Sequence, residues 1–287
     1  MCKCIVCGYS GDAKLYEAKE MMYGMGNSFT YFECPECGCL QIKDIPDNLG
    51  DYYQKDYYSY RKPDNSTSKH AESINETRVL DVGCGGGALL CELAEFGYIH
   101  LHGCDPYLDS ELIYENGVHI FNKEIHDIEG EYDLIIMSDS FEHVTDPHDV
   151  LESAYRLLAP EGTLRIGIPI YPNIAFDMFG ANWYQLDAPR HIVLNSKKSM
   201  VYFAEKHGFK IFKGTWNSSS AQIVRSFLYE KGIPFVGQTQ EIIEKYFTAE
   251  SLQKMKENSE IANKNQYGDH VVFDMIKKEY AAQLGIL

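Results

Sequence analysis

The chain predicts an α/β fold: a mainly parallel sheet with helices on both faces, a small cysteine-rich module before it, and a helical insertion towards the C-terminal end. Three observations predict it. From Thr77 onward, apolar strand-like runs alternate with helix-length segments, the pattern of repeated βαβ units. A glycine-rich turn follows the first of those strands and opens a helix. Six of the nine cysteines fall within the first 39 residues, ahead of the alternating region.

Residues 1–45 are dense in Cys and Gly, with a short β-like piece at Ser28-Phe29-Thr30-Tyr31-Phe32. Residues 46–76 read as a linker or lid, rich in tyrosine (Tyr52, Tyr53, Tyr57, Tyr58, Tyr60) and then polar and turn-rich. The main domain takes residues 77–287. Arg78–Val82 predicts a buried strand and Ala88–Phe96 a helix. His100–Cys104 follows as a strand, Asp109–Glu115 as a helix and Val118–Phe121 as a short strand. Tyr132–Met137 is a further apolar strand, Pro147–Leu158 a helix and Gly162–Ile168 a strand. Ser196–His207 then predicts a helix and Phe209–Thr215 a strand. Residues 217–266 read as a mostly helical insertion, and His270–Ile276 as the last strand.

With 287 residues, 45% apolar and 24% charged, the chain has room for one substantial core and a smaller accessory unit. No apolar run approaches the roughly 20 residues that span a bilayer. Met1-Cys2-Lys3-Cys4 leads straight into a cysteine motif with no apolar signal core, so a cytoplasmic location and no membrane partner are expected. The net charge of −16, from 42 acids against 26 bases, disfavours a polynucleotide partner, which needs phosphates neutralised by Lys and Arg.

In a reducing compartment, clustered cysteines read as metal ligands before disulfides. Cys4-Ile5-Val6-Cys7-Gly8 and Cys34-Pro35-Glu36-Cys37-Gly38 are two C-x-x-C-G turns. Each converges two thiolates, and together Cys4, Cys7, Cys34 and Cys37 supply the four soft ligands of a tetrahedral, structural Zn²⁺. Reduced, unliganded thiols are the alternative. Cys2 and Cys39 sit beside the motifs and are possible substitute ligands, at poorer spacing.

Val79-Leu80-Asp81-Val82-Gly83-Cys84-Gly85-Gly86-Gly87 carries the stronger signal. An acid closes an apolar strand, alternate glycines let backbone approach a ligand, and a helix N-terminus follows with free amide donors. A second acid, Asp105, ends the next strand beside Pro106, where a carboxylate would grip a ribose diol. No G-x-G-x-x-G is present, which sets the motif apart from a dinucleotide fingerprint.

These residues resemble class I S-adenosylmethionine-dependent methyltransferases, whose Rossmann-like sheet opens on D/E-x-G-x-G-x-G, matched by Asp81, Gly83, Gly85 and Gly87. Tyr132-Asp133-Leu134-Ile135 and Phe141-Glu142-His143-Val144-Thr145-Asp146-Pro147 match further family signatures, and the resemblance covers about residues 77–215. It implies S-adenosylmethionine as cofactor. Asp81, Gly83, Cys84, Gly85 and Gly87 would face the methionine moiety, Asp105 and Pro106 the ribose, and Ser138 and Asp139, within Met137–Ser140, the sulfonium end. Glu124 and Asp127 are both candidates for adenine.

Transfer to a hydroxyl or an acidic carbon calls for a base. His191 is the first candidate, in a Pro189-Arg190-His191 turn just before the helix at Ser196; capping that helix is its alternative role. The turn resembles the His-bearing loop of zinc-bearing sugar methyltransferases, with Arg190 where those proteins have Glu. Arg190 could clamp a carboxylate or phosphate of the acceptor. His143 is a second candidate. With Asp139 and Glu142 it falls where ubiquinone O-methyltransferases bind a divalent cation, though a packing role fits it too. Tyr58, with Tyr57 and Tyr60, resembles the segment that folds over the site in the sugar enzymes; packing the zinc module is the other reading. The leading function is therefore methylation of a small molecule, a nucleotide sugar or glycan precursor. An RNA methyltransferase with a basic face of Lys197, Lys198, Lys206 and Lys210 is the alternative, and a non-catalytic binding protein the third.

Overall fold

Asn75–Val82 stands in the middle of an eight-stranded sheet ordered Phe209–Trp216, His270–Lys277, Leu158–Pro169, Tyr132–Ser138, Asn75–Val82, Tyr98–Cys104, His119–Phe121, Leu112–Ile113. The structure, a computed structural model, describes residues 1–53, 60–66 and 74–286. It divides into two units, one made of Met1–Tyr52, Ile168–Tyr202 and Gly214–Val272, the other of Tyr53–Gly167, Phe203–Lys213 and Phe273–Leu287.

In the second unit the four pairings between Leu158–Pro169 and His119–Phe121 are parallel. Parallel strands buried on both faces read as continuous apolar runs, which is why these segments were legible. Their register lines up the carboxyl ends: Asp81 lies opposite Gly103 and Ile136, Val82 opposite Cys104, and Cys104 opposite Phe121. The helix Ala88–Glu95 buries Leu90, Cys91 and Ala94 against Val79, Leu101, Val118, Ile120 and Ile136. The helix Pro147–Leu157 starts as its sequence dictates: Asp146 caps the Asp149 amide, Pro147 occupies the first turn, and Val150, Leu151, Ala154 and Leu157 form the buried stripe.

The helix predicted at Asp109–Glu115 does not form. Leu112–Ile113 is instead a short strand antiparallel to His119–Phe121, with Leu112 opposite Ile120. Asn116-Gly117 sits in the turn between them, Gly117 at φ 84°. An Asn-Gly pair between apolar residues is a hairpin signal, and it outweighs a weak helical period.

In the first unit, Val193–Leu194, Leu40–Ile42, Ser28–Glu33 and Lys14–Lys19 make a four-stranded antiparallel sheet, and Cys2–Lys3 pairs with Ser10–Gly11. Residues 1–45 and 217–266, expected as a separate module and insertion, thus fold together. The module's sheet takes its fourth strand from the two residues Val193–Leu194, too short for any periodicity to reveal. The amides of Phe235 and Val236 donate to the carbonyls of Met21 and Met22. The helices Ala221–Glu230, Gln240–Tyr246 and Ala249–Lys264 account for the helical stretch, with Val224, Leu228 and Phe247 as their shared core. Among the described residues, no helix is long and apolar enough to cross a membrane.

Candidate cofactor site and cysteine cluster

At the end of Asn75–Val82 the chain turns through Gly83, Gly85 and Gly87, all left-handed at φ 72°, 53° and 80°. Gly83 is required twice over, since a Cβ there would also lie 2.6 Å from Cβ of Ser140. At Gly86 the demand is steric alone: a Cβ would sit 2.3 Å from the Arg61 carbonyl oxygen. The backbone at Tyr60–Arg61 therefore passes directly over the glycine turn. The unexpected hairpin supports the same turn, for Tyr114 donates its hydroxyl to the Gly86 carbonyl at 2.9 Å. Gly87 caps the helix Ala88–Glu95 and, lacking a side chain, leaves the first-turn amides to other acceptors.

Asp105 joins the two neighbouring strand ends. Its Oδ2 accepts from the Gly85 amide at 2.9 Å and its Oδ1 from the Tyr107 amide at 3.0 Å. Burial pushes its carboxyl above the ordinary range, and those two amides partly oppose the shift. Asp81 is buried as well. Loss of solvent, with the Asp105 charge next, pushes it up to about 7. Two buried acids at adjacent strand ends make a cradle suited to positive charge. Burial also keeps Cys84 well above the usual thiol range, so it is a neutral lining residue.

Ser138 and Asp139 are exposed at the end of Tyr132–Ser138, with Asp139 at φ 50° and its amide bonded to the Gly167 carbonyl. Ser140 turns back to donate to the Val82 carbonyl at 2.7 Å. Pro106 leads into Tyr107, whose ring stacks on Tyr53 at 5.8 Å between centroids, and the Tyr53 hydroxyl meets Nδ1 of His143 at 3.0 Å. Tyr53 and Tyr107 are site neighbours that sequence reasoning passed over, although Tyr53 stood in the tyrosine-rich run. Tyr57 and Tyr58 lie outside the described residues. Glu142 is buried; among the described residues Asp139 joins no cluster of metal-ligating atoms with Glu142 and His143. Of the adenine candidates, Glu124 is close enough to Tyr107 for its charge to help raise that phenol, after burial and Asp105.

In the first unit, both C-x-x-C-G turns adopt one conformation. Gly8 and Gly38 donate to the carbonyls of Cys4 and Cys34, and both glycines are left-handed. Gln41 ties the turns together by accepting from the Ile5 amide and donating to the Lys3 carbonyl. The Cys4–Cys37 and Cys7–Cys34 sulfurs are each 3.6 Å apart, and all four lie within 4.8 Å of one another. Zn–S bonds of about 2.3 Å imply tetrahedral S···S edges of roughly 3.8 Å. The donor set and its spacing fit a zinc ion.

Arg190, a candidate clamp by sequence, has its side chain fully buried and committed. Nε and Nη2 donate to Asp187 at 2.8 and 2.5 Å, both terminal nitrogens to Glu20 at 3.2 Å, and Nη1 to the Tyr52 carbonyl at 3.1 Å. All five N–H bonds have acceptors within the protein, so the guanidinium holds the loop to the module instead of reaching for an acceptor molecule. Burial opposes its charge, and the Asp187 and Glu20 carboxylates overcome that, holding it above the ordinary value. Glu20 carries no sequence signal beyond its charge; Asp187, three residues before Arg190, was the partner within reach.

His191 is buried, and its Nδ1 lies 2.7 Å from the Gln185 carbonyl. A carbonyl only accepts, so Nδ1 carries the proton and the lone pair of the neutral ring is on Nε2. Asp187 Oδ2 lies 3.9 Å from that Nε2. Tyr31 fixes the backbone by donating to the His191 carbonyl at 2.8 Å.

Residues 53–213 match the family model described as "Methyltransferase domain". The ubiquinone biosynthesis O-methyltransferase of Maricaulis maris is 32% identical over 129 residues, 39% of this chain and 49% of that protein. The mitochondrial enzyme of the same name from Saccharomyces cerevisiae is 29% identical over 118 residues, 35% of this chain and 36% of its own. The matched stretch thus spans between about a third and a half of these relatives. A solved methyltransferase structure from Thermotoga maritima is similar over 71% of this chain and 84% of its own, at 18% identity and a TM-score of 0.44. The chain belongs to the methyltransferase-domain family, and residues 53–213 are an S-adenosylmethionine-dependent methyltransferase domain of the Rossmann-like, class I kind.

Proposed function

We propose that the protein moves a methyl group from S-adenosylmethionine to a hydroxyl oxygen of a small molecule, with a nucleotide sugar or glycan precursor as the acceptor class. The observation that carries this reading is the pair of buried acids, Asp81 and Asp105, beside the left-handed glycine turn Gly83–Gly87, with Asp105 accepting from the Gly85 amide. S-adenosylmethionine, when bound, supplies the activated methyl. Asp105 takes the ribose hydroxyls, Asp81 and the glycine turn meet the cationic methionine end, Glu124 serves adenine, and Ser138 and Asp139 line the sulfonium side. His191 accepts the hydroxyl proton on Nε2 as the new O–C bond forms and the S–C bond breaks, leaving S-adenosylhomocysteine. The two relatives named as O-methyltransferases support oxygen as the acceptor atom. Cys4, Cys7, Cys34 and Cys37 hold a structural Zn²⁺. The net charge of −16 supports a small acceptor over RNA.

The test is a product scan by mass spectrometry over nucleotide sugars and catechols incubated with S-adenosylmethionine. A methylated nucleotide sugar supports the reading. A methylated catechol alone moves the acceptor to a phenol, and no product from either removes both classes.

Replacing Asp105 with alanine is expected to weaken cofactor binding by about 1–3 kcal/mol, the usual range for a charge-assisted hydrogen bond. Calorimetry with S-adenosylhomocysteine measures this, and an unchanged affinity would detach Asp105 from the ribose.

The raised Asp81 gives a pH signature. Below about 7 part of the free protein carries a neutral Asp81, which must lose its proton to meet a cation. Affinity for S-adenosylmethionine should therefore climb from pH 6 to pH 8 and then level off, and Asp81→Asn should flatten the profile. The same shift has the opposite sign for folding. The folded value lies above the ordinary 3.8, so ionising Asp81 costs stability as pH rises from about 4 past 7. Asp81→Asn should then melt higher than the native protein at pH 8, and a lower melting point would contradict the shift.

A further inference from the structure

The cysteine cluster holds a fifth sulfur. Cys39 is fully buried, and its Sγ lies 3.5 Å from that of Cys37 and 3.7 Å from that of Cys4. Cys37 and Cys4 are themselves 3.6 Å apart. The three sulfurs form a near-equilateral triangle whose edges match the face of a zinc–thiolate tetrahedron, roughly 3.8 Å on an edge. Cys34 lies within 4.8 Å of both Cys4 and Cys37. Among the four ligands of the two C-x-x-C-G turns, Cys4, Cys34 and Cys37 are buried and only Cys7 is partly open to solvent.

We propose that Cys39 is an exchange ligand: the site holds its zinc either through Cys4, Cys7, Cys34 and Cys37 or through Cys4, Cys34, Cys37 and Cys39. Exchange keeps the ion four-coordinate. Cys39, a neutral thiol while unbound, gives up its proton as it binds, and the released Cys7 thiolate, the one that solvent can already reach, takes a proton up. Neither state therefore strands a buried thiolate. The ion would then survive modification of Cys7, which a cluster of four cysteines alone would not. This inference rests on the zinc reading above.

Cobalt substitution separates the two ideas, because the thiolate-to-metal charge-transfer band scales with the number of bound thiolates. The full chain should bind one Co²⁺ with the intensity of four thiolates. Cys7→Ser and Cys39→Ser should each keep that intensity, and the double variant Cys7→Ser/Cys39→Ser should fall to three and give up its metal to a chelator faster. A fall to three thiolates in Cys7→Ser alone overturns the exchange while leaving a four-cysteine zinc site. A full chain that takes up no metal overturns the zinc reading itself. Should Cys7→Ser fail to fold, the native protein answers the question by alkylation with iodoacetamide. The exchange expects Cys7 to be modified first with the four-thiolate band retained; loss of metal in step with Cys7 modification overturns it.

Discussion

Arg190→Met should lower the stability of the fold by about 3–5 kcal/mol, the usual loss when one partner is taken from a buried ion pair. The guanidinium is enclosed between Asp187 and Glu20 and donates all five of its N–H bonds to protein acceptors. Methionine fills much of the same volume, so a cavity is not the main cost. What remains is two buried carboxylates with no cation between them, and these must protonate or draw in water. Urea titration at pH 7 measures the loss. The charge argument is checked by Arg190→Met/Glu20→Gln/Asp187→Asn, which should recover a large part of it. A single variant within about 1 kcal/mol of the native protein would show that the triad does not hold this unit together.

His191→Ala should reduce turnover by roughly 10²–10⁴-fold while S-adenosylhomocysteine still binds, the range for removal of a general base. The expectation comes from the tautomer. The Gln185 carbonyl holds the proton on Nδ1 and leaves Nε2 with the lone pair. Backbone disruption is a small part of the effect, since Tyr31 bonds the carbonyl of residue 191, which alanine keeps. Single-turnover rates at several pH values distinguish a base from a merely structural histidine: only the former loses an acid limb along with its rate. Undiminished turnover would assign the proton transfer elsewhere, with His143, oriented by Tyr53, next in line.

The central sheet was legible because parallel strands with both faces covered must be apolar throughout, and their ends were marked by Asp81 and Asp105. The glycine turn was legible for a similar reason, as its geometry excludes side chains at fixed positions. The helix expected at Asp109–Glu115 gives way to the hairpin at Leu112–Phe121 because the Asn116-Gly117 turn reverses the chain, and that turn chemistry is the local signal that decides the segment. Long-range pairings left no local trace. Nothing near Val193–Leu194 announces a partner at Leu40–Ile42, and nothing near Glu20 announces Arg190, 170 residues away. Arg190 looked like an acceptor clamp for that reason: its motif was visible, but the acids that occupy it were not. The fifth thiol was legible only as a possible substitute at poorer spacing, since Cys39 falls outside both C-x-x-C-G turns; its place beside Cys4 and Cys37 depends on the fold.

Calorimetric titration of the zinc-loaded protein with S-adenosylmethionine, run beside Asp105→Ala, bears most directly on the cradle of Asp81, Asp105 and the glycine turn. One nucleoside bound per chain, more weakly in the variant, is the expected result. A native protein that gives no binding heat and no shift in melting temperature at millimolar nucleoside would contradict it.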